Sequence, residues 1–139
     1  MHVEDIDYKS LKILINKLLI IYDDEDISAM LFLLLRSKDF EVAVVTKSED
    51  IFHKIKTYQP DIILLDVFLT GYDGRVICKQ LKFHPDSKHI PVIMVSGDDE
   101  VLQTVKQYGA NDFIQKPFEA EDLLSKINKL INAKSNSPG

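Results

Sequence analysis

Five polar side chains follow aliphatic runs of this sequence, at positions where their chemistry could be combined. They are Asp23, Asp24, Asp66, Ser96 and Lys116. If the runs are parallel strands, their carboxyl ends meet at one edge of a sheet, which is where open α/β sheets bind ligands. A carboxylate buried at such an edge is costly unless it is paired or coordinates a metal ion. Three carboxylates, a hydroxyl and an ammonium therefore indicate a site for a hard cation and a phosphoryl group.

Asp66 is the most informative of these residues. It ends the apolar run 62–65 and is followed by a turn-like segment at 70–74. An unbroken aliphatic run is typical of a strand that is buried on both faces. A carboxylate at its end can form an acyl phosphate and return the phosphoryl group to water. Such a transfer depends mostly on positioning and on stabilising the charge of the phosphoryl oxygens.

Strand and helix patterns alternate along the chain, and the resulting elements must position the polar groups. Short apolar runs predict strands at 18–21, 41–45, 62–65, 92–95 and 113–114. Apolar residues at helical spacing predict helices within 27–35, 51–58, 77–81, 101–108 and 123–131. Met30 belongs to the first of these stripes, and Gly109 is placed to cap the fourth helix.

This alternation predicts a single α/β domain with parallel crossovers. The fold class we expect is the flavodoxin-like (βα)5 domain, a five-stranded parallel sheet in the order 2-1-3-4-5 with helices on both faces. In that order the first and third strands are neighbours, so Asp23 and Asp24 would lie beside Asp66.

Length, charge and cysteine content narrow the classes of function. The 139 residues are 45% hydrophobic and 28% charged, which suits one globular domain. A net charge of -5 argues against nucleic-acid binding by this domain, because phosphate backbones are met by clustered Lys and Arg. Cys78 is the single cysteine, so we expect no disulfide and no cysteine-based metal site, and a reducing compartment fits.

The ends of the chain and its hydropathy complete this outline. We expect an N-terminal extension at 1–16, one domain at 17–132, and a flexible tail or truncated linker at 133–139, where Ser, Asn, Pro and Gly predominate. The acidic, polar start does not resemble a secretory signal, and no apolar run reaches membrane-spanning length. We therefore expect a cytoplasmic location and no membrane partner.

Four motifs together resemble the receiver domain of two-component response regulators. They are Ile21-Tyr22-Asp23-Asp24-Glu25, Leu64-Leu65-Asp66-Val67 with Gly71-Tyr72-Asp73-Gly74, Val95-Ser96, and Gly109-Ala110-Asn111-Asp112-Phe113 running to Lys116-Pro117-Phe118. Each motif is common by itself, but the order and spacing of the set are similar to that family over about residues 17–132.

The resemblance implies a role for each polar group. Asp66 would be the phosphoacceptor, and Ser96 and Lys116 would meet phosphoryl oxygens through a hydroxyl and an ammonium. The resemblance also implies a Mg²⁺ site, which Mn²⁺ could fill as well. The ligands would be Asp24 directly, Asp23 directly or through water, Asp66, and the backbone carbonyl of Phe68.

A switch and its partners are implied in the same way. Ser96 and Phe113 would move together on phosphorylation, and the Lys116-Pro117 peptide bond would be cis. The signal would leave through the face formed by the fourth helix, the fifth strand and the fifth helix. A histidine kinase or phosphotransfer protein would donate the phosphoryl group, and an effector domain, an output partner or a phosphorylation-dependent homodimer would receive the signal. Such a domain promotes its own phosphorylation and dephosphorylation but is not a turnover enzyme.

Four residues depart from the usual pattern of that family. They are Tyr22 in place of an aliphatic residue, Thr70 in place of proline, Gly97 in place of alanine, and Phe113 in place of tyrosine. We expect Thr70 and Gly97 to loosen their loops. Because Phe113 has no hydroxyl, the switch would depend on burial of its ring.

Two other functions stay open at this point. The segment from Asp66 to Phe68 partly resembles the haloacid-dehalogenase phosphatase motif, in which a second aspartate acts as acid and base, but Phe68 has no proton to give. The chain could also be a degenerate receiver that acts only as a binding module, although the complete acidic set argues against this. Without Asp66 and Lys116, the acidic run 23–26 would be only the first turn of a helix, where the macrodipole favours carboxylates.

Overall fold

A computed structural model describes residues 16–135, with the side chains of 25–28 and 134–135 excepted. The predicted extension, apart from Asn16, and the predicted tail from 136 onward lie outside the described residues. The last helix continues to Ser135, so the predicted boundary after residue 132 falls inside a helix. Within the described range, no helix is both long enough and apolar enough to cross a membrane.

Five sheet strands and five helices alternate between residues 16 and 135, as the apolar pattern predicts. The strands are β1 (Lys17–Ile21), β2 (Glu41–Val45), β3 (Ile62–Asp66), β4 (Val92–Ser96) and β5 (Asp112–Gln115). The helices are α1 (Glu25–Arg36), α2 (Ile51–Tyr58), α3 (Gly74–Phe83), α4 (Asp99–Leu102) and α5 (Ala120–Ser135). A hairpin of Phe68–Leu69 and Tyr72–Asp73 lies between β3 and α3, and 3₁₀ turns lie at Ser48–Asp50 and Val105–Tyr108.

The five strands form one parallel sheet in the order β2-β1-β3-β4-β5, which confirms the predicted fold. Ile21 of β1 pairs with Leu65 of β3, and Asp66 pairs with Val95 of β4. This register brings the carboxyl ends of three neighbouring strands to the same level. Polar residues that follow these strands therefore share one edge, the edge at which open α/β sheets bind ligands.

Both faces of the sheet are covered, because successive side chains of a strand point to opposite sides. The face toward α2, α3 and α4 includes Leu19, Ile21, Ile63 and Leu65. The face toward α1 and α5 includes Leu18, Ile20, Ile62 and Leu64. β3 is therefore buried along its whole length, and Asp66 at its end is buried with it.

The buried stripe of α1 is narrower than its sequence predicts. Leu31 and Leu35, one helical turn apart, pack against the sheet. Met30, which belongs to the predicted stripe, is 71% exposed, and Leu33 is 67% exposed. The ridge that meets the sheet is an i, i+4 row, so Phe32 and Leu34 beside it are only partly buried and Leu33, midway between its two members, faces solvent.

The predicted fourth helix is interrupted. α4 ends at Leu102, and a 3₁₀ turn over Val105–Tyr108 follows. At the break, Thr104 directs both its hydroxyl (2.6 Å) and its backbone N–H (3.0 Å) to the carbonyl oxygen of Val101. A side chain that competes for a backbone carbonyl in this way disfavours continuous α-helix. Gly109 ends the segment with a φ of 94°, in agreement with its predicted capping role.

Candidate functional site

Asp66 is the buried centre of the candidate site. It is the last residue of β3, its surface is 4% exposed, and the Val67 N–H bonded to the Val95 carbonyl (2.9 Å) holds the adjacent backbone. The Phe68 N–H donates to Asp66 Oδ1 at 3.2 Å. Lys116 Nζ lies 3.7 Å from Asp66 Oδ2. One cation and one amide therefore face a carboxylate that is otherwise withdrawn from water.

The groups around Asp66 compensate only part of the free-energy cost of burying its negative charge. Burial raises the pKa of Asp66, and the negative charge of Asp23 adds to this effect. The Lys116 ammonium and the Phe68 N–H lower the pKa, but the net change is upward. Because the ionised form is destabilised by its surroundings, an added positive charge at this position would be favourable.

Asp23 and Asp24 follow β1 and reach the same edge of the sheet. Asp23 Oδ2 accepts a hydrogen bond from the Thr70 backbone N–H. The Thr70 hydroxyl is the largest influence that lowers the pKa of Asp23, the Thr70 N–H and the Lys116 charge add to it, and partial burial opposes it. Asp24 is exposed, and its charge acts on the neighbouring Tyr22 phenol.

The contact with Asp23 gives Thr70 a function that its sequence position did not reveal. As a replacement for proline, Thr70 is expected to loosen the loop after β3. Instead, its N–H joins that loop to Asp23, and proline has no N–H to donate. The described loop is therefore anchored through the residue that departs from the usual pattern.

The donor set fits a hard divalent cation chemically. Carboxylates and backbone carbonyls are the oxygen ligands that Mg²⁺ uses in proteins, usually together with waters. Asp23 and Asp66 are close enough to influence each other, and Phe68 lies two residues beyond Asp66 in the hairpin. Among the side chains that the structure describes, no group of three or more acidic, His or Cys residues is already arranged to hold a metal ion. The ligand roles of Asp23, Asp24, Asp66 and the Phe68 carbonyl therefore stay a prediction.

Ser96 supplies a buried hydroxyl at the end of β4. Its Oγ accepts a hydrogen bond from the Asp98 N–H at 3.1 Å, which uses a lone pair and leaves the hydroxyl proton to donate elsewhere. Asp98 itself caps α4 by accepting from the Val101 N–H at 3.2 Å. The Lys116 N–H donates to the Ser96 carbonyl at 2.8 Å, so the two segments are joined directly. The Lys116-Pro117 bond is cis, as the resemblance implies.

Phe113 lies on β5, away from the Asp66 edge. Its ring is partly buried and packs against the apolar cluster that contains Met94, its partner in the β4–β5 ladder. On the outer side, Lys126 Nζ lies 5.9 Å from the ring centroid and 3.2 Å from Asp112 Oδ1. The Phe113 ring is therefore neither fully buried nor fully exposed in this structure.

Two residues near Asp66 were not predicted to act at the site. Tyr22 is fully buried, and Lys116 Nζ lies 5.2 Å from the centroid of its ring. Gly74, the first residue of α3, lies so close to the Asp66 carbonyl oxygen that a Cβ atom would overlap it. The sequence signal for Tyr22 was its departure from an aliphatic residue, whereas the close approach of Gly74 depends on tertiary packing.

The sequence model of the response regulator receiver domain family matches residues 18–128 of this chain. Among curated proteins, the sensory transduction protein RegX3 of Mycobacterium tuberculosis is 34% identical over 118 residues, which is 84% of this chain and 51% of the relative. The chain therefore spans about half the length of the curated relatives that it matches.

Solved structures give the same result for the fold. A chain assigned as a response regulator from Chloroflexus aurantiacus has a TM-score of 0.80 and 33% identity, covering 85% of this chain and 98% of that chain. The signal receiver domain of a signal transduction histidine kinase from Syntrophus aciditrophicus has a TM-score of 0.80 and 26% identity, covering 89% of this chain and 96% of that chain.

Proposed function

Because this chain belongs to the response regulator receiver domain family, we propose that it is a phosphorylation-dependent signalling switch whose phosphoacceptor is Asp66. The observation that carries the proposal is the position of this carboxylate. It is buried at the end of the central strand, with the Lys116 ammonium 3.7 Å from Oδ2. A nucleophile, a cation and the Ser96 hydroxyl at one sheet edge can together accept a phosphoryl group.

In the proposed step, a carboxylate oxygen of Asp66 attacks the phosphorus atom of the donor. A new P–O bond forms, the bond from phosphorus to the leaving atom breaks, and its electron pair leaves with the donor. Lys116 and Ser96 meet the negative oxygens of the transferred group, as an ammonium and a hydroxyl donor. Hydrolysis later returns the free carboxylate and inorganic phosphate.

Mg²⁺, or Mn²⁺ in its place, would neutralise charge on the phosphoryl oxygens when held by Asp23, Asp24, Asp66 and the Phe68 carbonyl. The raised pKa of Asp66 supports a cation at this edge, because its charge is incompletely compensated by the protein alone. In this proposal Asp23 is oriented by Thr70, which holds one of its oxygens.

The proposed output runs from Ser96 to the α4-β5-α5 face. Ser96 would move toward the phosphoryl group, and Phe113 would follow by changing its burial, which biases a two-state element. Two contacts support a link between these segments. The Lys116 N–H bonds to the Ser96 carbonyl at 2.8 Å, and Gln115 Nε2 donates to the Gly97 carbonyl at 3.4 Å.

The partners follow from the same proposal. A histidine kinase or phosphotransfer protein would donate the phosphoryl group in the cytoplasm. An effector domain, a separate output protein or a second copy of the phosphorylated chain would recognise the α4-β5-α5 face. We propose no nucleic-acid contact by this domain itself, because its net charge of -5 disfavours approach to a phosphate backbone.

Phosphorylation from a small donor tests the function directly. Incubation with Mg²⁺ and acetyl phosphate should add one acid-labile phosphoryl group to the intact protein, as measured by mass spectrometry. Asp66→Asn should abolish the gain in mass. Asp86→Asn is the matched control, because the Asp86 side chain is 72% exposed and lies outside the candidate site.

Two kinds of result would count against the proposed function. An unchanged mass, or a modification that survives Asp66→Asn, would overturn the proposed function. Steady turnover of a chromogenic phosphate ester would support the phosphatase alternative instead.

A further inference from the structure

Tyr22 places a buried phenol beside the candidate site, at the end of the apolar cluster under α1 and α5. The residue is fully buried one position after β1, and its N–H donates to the Val45 carbonyl at 3.2 Å. A tyrosine phenol is un-ionised near neutral pH, so the hydroxyl keeps its proton and can serve as a hydrogen-bond donor.

The Tyr22 hydroxyl has no hydrogen-bond partner among the described residues. A buried hydroxyl without a partner costs free energy, and an apolar side chain of similar shape would avoid that cost. Phenylalanine has this shape. The Tyr22 hydroxyl is therefore available to donate to a group that the unmodified protein lacks.

The Tyr22 ring is held next to the groups that act on Asp66. Lys116 Nζ lies 5.2 Å from the ring centroid, which is within the range of a cation–π contact. The same ammonium lies 3.7 Å from Asp66 Oδ2. The ring, the ammonium and the carboxylate thus form a chain of contacts that ends at the phosphoacceptor.

We propose that the Tyr22 hydroxyl is a hydrogen-bond donor to the phosphoryl group carried by Asp66, in addition to Ser96 and Lys116. This inference rests on the proposed function, because the Tyr22 hydroxyl makes no hydrogen bond to the unmodified Asp66 carboxylate and would meet only the added phosphoryl oxygens. Phosphorylation adds negatively charged acceptor oxygens to Asp66, and the Tyr22 phenol is already buried and protonated. The hydroxyl is then satisfied in the phosphorylated state and unsatisfied in the unphosphorylated state.

An equilibrium probe separates this role from effects on rates. Beryllofluoride, a phosphoryl analogue that binds a carboxylate, is titrated into the protein with Mg²⁺, and ¹⁹F NMR reports both affinity and the environment of the fluorines. Tyr22→Phe keeps the ring over Lys116 and removes only the hydroxyl. Tyr22→Leu removes the ring as well. Tyr58→Phe is the control, because the Tyr58 hydroxyl is also buried, but this residue ends α2 and its ring centroid lies 5.5 Å from Nζ of Lys17 at the start of β1.

Tyr22→Phe should weaken beryllofluoride binding about tenfold, the loss expected for one hydrogen bond to a charged group. One ¹⁹F resonance should shift, while the melting temperature without the analogue stays equal or rises. Tyr22→Leu should bind more weakly still, and Tyr58→Phe should bind like the wild type.

The proposal and its premise fail in different ways. Equal affinity of Tyr22→Phe and the wild type would overturn the role of the hydroxyl, and so would a lower melting temperature of Tyr22→Phe without the analogue. If the wild type neither binds beryllofluoride nor accepts phosphate from acetyl phosphate, the proposed function fails and the inference fails with it.

Discussion

At the scale of single residues, Asp66 carries a charge that the fold compensates incompletely. Burial raises its pKa, and the Lys116 ammonium with the Phe68 N–H only reduces that shift. A carboxylate in this state gains free energy from an added cation. We infer that the unphosphorylated protein gives up stability at this residue in order to keep a reactive group in place.

Asp66→Asn should therefore stabilise the protein at neutral pH, by about 0.5–2 kcal/mol, the range usual for stabilising substitutions. The folded pKa of Asp66 lies above the unfolded value, so the wild type loses stability as pH rises between the two and bears the full cost above them. The gain of the variant should vanish as pH falls toward the unfolded value. Urea unfolding at several pH values measures this difference, and a variant less stable than the wild type at pH 7 would contradict it.

Asp23→Asn is the control, and we expect it to change the stability of the protein in the opposite direction. The pKa of Asp23 is lowered, chiefly by the Thr70 hydroxyl, so its ionised form contributes stability above the unfolded pKa and loses it as pH falls through the folded pKa. This variant should be slightly less stable than the wild type at neutral pH. A comparison of the two variants then separates the general effect of removing a negative charge from the effect of burial at Asp66.

Replacing Thr70 tests the anchor between the hairpin and the acidic pair. Thr70→Pro removes both the N–H and the hydroxyl, so the pKa of Asp23 should rise toward its ordinary value. Thr70→Ser keeps both donors and should leave the pKa unchanged, and Thr70→Ala keeps only the N–H and should fall between them. A carboxyl-carbon NMR titration resolves Asp23. If Thr70→Pro titrates like the wild type, Thr70 does not hold Asp23.

At the scale of elements, the first turn of α3 and the end of β3 fit only without a side chain at Gly74. The Gly74 N–H donates to the Val67 carbonyl at 2.6 Å, and Asp73 caps the helix by accepting from the Arg75 N–H at 2.9 Å. Because a Cβ at Gly74 would overlap the Asp66 carbonyl oxygen, Gly74→Ala must push the helix or the strand end aside. We expect a loss of about 1–3 kcal/mol in stability and slower phosphorylation by acetyl phosphate.

Gly97→Ala is the matched control for this element-level prediction. The nearest atom to a Cβ at Gly97 is the Lys116 carbonyl oxygen at 3.9 Å, an ordinary contact distance. This substitution should be neutral or stabilising by about 0.5 kcal/mol, since it restricts the unfolded chain. Thermal unfolding of both variants measures the contrast, and equal losses would mean that the packing of Gly74 against Asp66 is not tight.

At the scale of the whole molecule, the order of the strands could be predicted from the alternation of strand and helix patterns. Parallel strands joined by crossover helices allow only a few sheet topologies. Register then brought Asp66, Ser96 and Lys116 to one edge, as predicted from their positions after strands. The break after α4 was not predictable, because it depends on the hydrogen bond that the Thr104 hydroxyl donates to the Val101 carbonyl.

Other features of the site also lay beyond the sequence. The bond from Thr70 to Asp23 joins residues that are distant along the chain, and its donor is a backbone atom that no residue pattern encodes. The exposure of Met30 depends on which helical row meets the sheet. The unsatisfied hydroxyl of Tyr22 became apparent only once the groups around it were known.

Identification of the modified residue tests the central claim most directly. After incubation with acetyl phosphate and Mg²⁺, borohydride reduces an aspartyl phosphate to homoserine, which peptide mass spectrometry locates in the chain. The account predicts homoserine at position 66 and at no other aspartate. A phosphoester that resists reduction, or homoserine at another position, would contradict the assignment of Asp66 as the phosphoacceptor.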